Sequence, residues 1–253
     1  PFGFGQIYGG KTGIIAGASL MFFGFLGFES ISMTVDEIKE PQKNVPRGIV
    51  LALIIVASLY AVVSLVLTGV VHYTKLNVDD AVAYALRYIG VSWAANYVSV
   101  VAIMTLITVC ISMAYALSRM VYSLARDGFL PQTFQKVSKT HKVPHHATLL
   151  TGILSAISSG IFSLANMASL VNISTLAYLV LLAIALIILR KDKGLPQKDE
   201  FKVPFVPVLP ILSIIVCLSF MSQYSWQTWS AFGIAVLIGS AIYAFYGYKH
   251  SKY

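Results

Sequence analysis

The chain has 253 residues, 57% of them hydrophobic and 11% charged, and a formal net charge of +8. Soluble domains carry about 25% charged residues, so this composition excludes a water-soluble globule and makes lipid the solvent for most of the chain. The positive charge does not call for nucleic acid, because the basic residues fall in short segments between apolar runs and not on one surface.

A membrane-crossing helix needs ~20 predominantly apolar residues. Seven runs qualify, at about 12–35, 48–71, 93–117, 147–165, 168–189, 205–221 and 229–248. Helices are expected, since barrel strands are ~10 residues of alternating pattern. The sequence opens at Pro1 with no basic stretch, short apolar core and cleavage site, so no signal peptide is read. The first run begins almost at once, and the expectation is that the natural N-terminus lies upstream and the chain is a fragment.

The first run holds Glu29, the one carboxylate of ten that falls inside a span. An ionisable group at that depth is either functional or a protonated acid bonding a neighbouring helix. Before it stand Gly24 and Gly27 among Phe22, Phe23, Phe25 and Phe28. Two glycines three apart weaken a helix. They either interrupt it, freeing backbone groups for a ligand, or permit close helix packing. Between the second and third runs, residues 72–91 are long enough for structure of their own, with Asp79 and Asp80 placed to cap a short helix through Arg87.

In the third run Thr105, Thr108, Ser112 and Tyr115 share one helical face. Such a face suits an ion or water path, or hydrogen bonding between helices. The third helix is expected to continue past the membrane to Gly128, where glycine and Pro131 end it. His141, His145 and His146 follow in a loop without the carboxylate or cysteine spacing of a metal site. The fifth run carries a weaker polar face of Ser169, Asn172, Thr175 and Tyr178. Cys110 and Cys217 sit in apolar runs and are read as buried packing residues.

If the first run passes from outside to inside, 15 of the 18 basic residues lie on the inner side. The inner segments are then 36–47, 118–146, 190–204 and the tail from Lys249, and Lys11, Lys75 and Arg87 remain outside. No nucleophile motif with a histidine, phosphate-cradling glycine loop or HExxH occurs, so neither an enzyme nor ATP-driven transport is read.

The stretch FFGFLGFESISMTVDEIKEPQKNVPRGIV, from Phe22 to Val50, resembles the sixth helix and following loop of the amino acid–polyamine–organocation transporters. The opening Pro1-Phe2-Gly3-Phe4-Gly5 is similar to bacterial members of the cationic amino acid transporter branch. Ala125-Arg126-Asp127-Gly128-Phe129-Leu130-Pro131 resembles the segment that closes the family's eighth helix. The resemblance implies an all-α integral membrane protein with a leucine-transporter-like fold. Residues 1–253 would be the C-terminal part of an amino acid permease domain: seven transmembrane helices, comprising the second inverted repeat and two accessory helices.

By the same resemblance, Phe23 matches an aromatic gate over the substrate, and Gly24, Phe25 and Leu26 match an unwound stretch whose carbonyls receive the substrate amine. Glu29 matches an acidic position linked to proton or conformational coupling. Ser112 and Met113 lie near eighth-helix positions lining the ion site and the substrate side. Many family members have alanine where this chain has Gly24. The function implied is secondary active transport of amino acids across the cell membrane, by proton coupling or exchange. Its partners would be an amino acid, the lipid bilayer and a coupling proton or ion, with no bound cofactor. The rival reading is a non-transporting membrane sensor or assembly subunit on the same scaffold.

Overall fold

The computed structural model describes residues 11–28, 31, 38–76, 78, 80–138, 143–194 and 201–251. Among these residues every regular element is a helix. In chain order they are α1 (Lys11–Met21), a 3-10 turn (Phe22–Phe25), α2 (Pro41–Val70), α3 (Ala81–Tyr88), α4 (Ser92–Arg126), α5 (His145–Ile161), α6 (Leu164–Lys193), α7 (Val208–Met221) and α8 (Trp226–Ile242). A π-helical turn, Tyr243–Gly247, continues α8 toward the C-terminus. Four helices among the described residues are long and apolar enough to cross a membrane: Pro41–Val70, Ser92–Arg126, Leu164–Asp192 and Trp226–His250.

The apolar runs translate into these helices with edges set by local chemistry. The fourth and fifth runs, expected to meet near residue 166, separate earlier. Ser163 caps α6 by accepting the amide of Asn166 at 3.4 Å, which ends α5 at Ile161. The sixth run loses its first residues because Phe205, at φ 51°, and Pro207 precede the first turn of α7. In the seventh, Ser225 caps α8 and starts it before the expected Trp229. His145 and His146 open α5 and do not belong to the preceding loop.

α3 forms where the acidic pair predicts it. Asp80 makes no side-chain cap bond, however, and reaches Arg87 at 3.5 Å across the helix. Asp79 lies outside the described residues. α4 runs to Arg126 and is ended by Gly128 at φ 91°, as the sequence suggests.

The core lies between α6 and α7. Ile173, Leu176, Cys217 and Met221 are buried together, and Phe22, Phe220, Tyr224 and Phe232 pack around them. α1 leans on both helices. Cys217 is the buried cysteine expected, whereas Cys110 is exposed on α4. α2 buries none of its residues, and its flank is bare apolar surface. A second group joins α3, α4 and α5.

Candidate functional site

The α-helical bonding of the first apolar run stops at Met21. Phe22–Phe25 form a 3-10 turn, Leu26 is extended at φ −62° and ψ 146°, and Gly27 turns at φ 113°. Only glycine adopts that last conformation at low cost. The helix is therefore interrupted, with Gly27 at the turn as the first of the two readings requires, while Gly24, inside the 3-10 turn, permits a close approach as the second requires. The half-helix expected beyond the break falls largely outside the described residues, as does Glu29.

Side chains from three directions hold the break. On its α1 side, a polar knot sits in the core. The Ser19 carbonyl accepts from Asn172 Nδ2 at 3.4 Å and from the Tyr224 hydroxyl at 3.1 Å, while Ser19 Oγ donates to the Phe220 carbonyl at 3.2 Å. Asn172 is 1% exposed, and its Oδ1 has no hydrogen-bond partner among the described residues. Passing from α to 3-10 bonding shortens the backbone reach from four residues to three, so carbonyls at the junction need other donors. Asn172 and Tyr224 supply them for Ser19.

From α2, Tyr60 donates its hydroxyl to the Gly24 carbonyl at 2.9 Å. Its ring meets Phe25 edge-on, with centroids 5.4 Å apart. A Cβ at position 24 would stand 3.3 Å from Tyr60 Cε2, so the missing side chain of Gly24 makes room for this approach. From α4, Met113 Cε stands 3.4 Å from where a Gly27 Cβ would be.

The residues singled out from sequence thus divide. Phe23, Gly24, Phe25 and Leu26 form the break itself, and Met113 abuts it. Phe23 is 44% exposed while Phe22 turns into the core. Ser112 spends its hydroxyl on the Thr108 carbonyl at 2.9 Å. Thr105 and Thr108 likewise bond Val101 and Met104 within α4, so this polar face satisfies itself. The sequence reading missed Tyr60, Ser19 and Tyr224. Tyr60 carried a usable signal: tyrosines gather at membrane interfaces, and one midway along an apolar run needs a partner for its hydroxyl. Among the described residues no group of three His, Cys, Asp or Glu gathers as a metal site would require.

Comparison with known proteins gives a consistent picture. A family profile described as amino acid permease matches residues 4–244. The chain is 44% identical over 242 residues to a methylthioribose transporter of Bacillus subtilis (strain 168), covering 96% of this chain and 52% of that protein. It is 38% identical over 254 residues to the branched-chain amino acid permease BcaP of the same organism, covering 100% of this chain and 53% of that protein. A vacuolar cationic amino acid transporter 2 of Arabidopsis thaliana is 33% identical over 181 residues, 72% of this chain and 28% of the relative. The chain spans about half the length of the two Bacillus relatives.

Proposed function

Because this chain belongs to the amino acid permease family, we propose that it is the C-terminal part of a secondary transporter moving amino acids across the cell membrane. The observation that carries the reading is the interrupted helix at Phe22–Gly27, with exposed Phe23 on it and Tyr60 and Met113 against it. Non-helical backbone at membrane depth is tolerated only where protein, water or a ligand satisfies it. Transporters of several folds place substrates at such breaks. In this reading the α1 segment with its continuation, together with α2 and α4 to α8, makes seven crossings of a leucine-transporter-like second repeat and two accessory helices. Phe23 covers the substrate, the carbonyls of Gly24, Phe25 and Leu26 receive its ammonium, and Met113 lines the same space.

A specific observation favours a second substrate class. The relative at 44% identity is named for methylthioribose, a thio-sugar and not an amino acid. The sensor reading has no such support, since the matched relatives carry the names of transporters and permeases. The test is uptake of radiolabelled isoleucine, arginine and methylthioribose by the full-length protein in proteoliposomes, with a proton gradient or with internal counter-substrate. Amino acid uptake upholds the proposal, and uptake of methylthioribose alone moves it to the second class. Binding without movement under either driving condition returns the sensor.

Coupling is assigned to Glu29. The resemblance places a coupling carboxylate at this position, and it is the one acidic residue within the apolar runs. A group that binds its proton differently in two conformations couples pH to their balance. Glu29→Gln keeps shape and hydrogen bonding but cannot titrate. The expected outcome is a folded variant whose uptake no longer varies with pH. A wild-type pH profile would place coupling elsewhere.

A further inference from the structure

Two carbonyls at the break are held by side chains from elsewhere in the chain, and they are held differently. That of Ser19 sits in the α1–α6–α7 core under two donors, Asn172 and Tyr224. That of Gly24 is held by a phenol that is itself 39% exposed and stands on α2, a helix with no buried residue. The first is enclosed in the core of the described residues; the second is a single exposed bond.

We propose that the Tyr60 hydroxyl stands in for the substrate's own hydrogen-bond donor, holding the Gly24 carbonyl while the site is empty and yielding it when substrate arrives. The proposal rests on the transport reading above and adds to it a residue that sets affinity. A carbonyl released from helix bonding requires another donor, from protein or solvent. Tyr60 meets that requirement at 2.9 Å. It is also suited to leave. Its bond joins two neutral groups, and a substrate ammonium makes a charge-assisted bond roughly twice as strong. Releasing the carbonyl takes rotation of the hydroxyl proton about the Cζ–Oη bond or a turn of the whole side chain, whose ring also meets Phe25 edge-on. Gly24 makes room for the donor: a Cβ there would stand 3.3 Å from Cε2 of Tyr60, so the ring would have to give by a few tenths of an ångström.

The consequence is a sign that a merely structural tyrosine would not give. Removing the hydroxyl alone spares the substrate the displacement of a donor, so Tyr60→Phe should tighten binding. The expected change is about two- to tenfold, the range of one neutral hydrogen bond. The experiment is equilibrium binding and uptake of tritiated isoleucine and arginine by wild-type and Tyr60→Phe full-length protein. A fall in Kd for the probe that binds supports the proposal, and an unchanged or raised Kd overturns it while leaving transport intact. If wild-type protein neither binds nor moves either probe, the amino acid reading falls and this inference with it. Should the variant fold poorly, fluorotyrosine placed at position 60 of otherwise wild-type protein decides the matter. Its fluorine resonance should shift when saturating probe displaces the hydroxyl, and an unshifted resonance with probe bound overturns the proposal.

Discussion

Phe22 packs against the cluster of Ile173, Leu176, Cys217 and Met221, whereas Phe23, one residue on, is 44% exposed. Truncating them should therefore separate stability from affinity. Phe22→Ala is expected to destabilise by about 1–3 kcal/mol, less than a fully buried phenylalanine because the ring is only partly enclosed, with a lowered Tm in detergent. Phe23→Ala should leave Tm near wild type and weaken substrate binding severalfold, as judged by isoleucine or arginine titration. Equal losses of affinity would mean that Phe23 does not face the ligand. The polar knot behind Phe22 makes a second residue-level prediction. Asn172→Ala leaves Ser19 its Tyr224 donor and should cost about 1 kcal/mol, and Tyr224→Phe a similar amount. The double variant strands the carbonyl and should cost more than the sum, an excess that a thermal-denaturation cycle measures. Sequence pattern showed the glycines and the aromatics, because their chemistry is local. It placed Asn172 on a polar face but could not show that face meeting Ser19, since the bond joins residues 153 positions apart. Ser112 was legible as a hydroxyl, and its donor bonds the Thr108 carbonyl within its own helix.

At the scale of elements, helix existence followed from apolar runs and helix ends from side chains the runs do not reveal. Ser163 and Ser225 each accept an amide of the turn they open, and each shifts a boundary by several residues from the hydropathy estimate. The end of α4 was legible because glycine and proline act locally. What packs there was not. A Cβ on Gly128 would collide with the His250 carbonyl, and Phe129 lies beside Tyr243 with ring centroids 6.0 Å apart. The turn after α4 is thus the seat of the C-terminal segment. Gly128→Ala combines that collision with a left-handed backbone, and strain of this kind costs of order 1–3 kcal/mol. The expected result is release of the C-terminal segment, seen as faster tryptic cleavage at Lys249 with Tm lowered by a few degrees. Unchanged cleavage would show that the segment tolerates a methyl group at its seat.

The whole molecule brings together segments that charge alone assigned to one membrane face. The Phe201 amide donates to Gln42 Oε1 at 3.3 Å, joining the first turn of α2 to the segment before α7, and Gly128 meets His250. At the opposite ends, Phe162 and Asn166 share a cavity of about 140 Å³ with Ser225 and Thr228. Cysteines replacing Lys43, Lys136 and Lys202 should accordingly react with an impermeant maleimide from one side of the membrane, and a cysteine replacing Lys75 from the other. Labelling of Lys43 and Lys136 positions from opposite sides would reject this sidedness. Helix lengths carry a further consequence, for biogenesis. At 1.5 Å per residue, the 14 residues of α7 reach only ~21 Å, short of the ~30 Å hydrocarbon layer. The 30 residues of α6 exceed it, and α7 lies against α6 through Cys217 and Met221. During synthesis α6 has the length and hydropathy to partition into lipid by itself, and its contact with α7 gives the shorter helix a partner to follow. A lesion at Ile173 or Leu176 would then reach cellular quality control as two displaced helices, although it alters one.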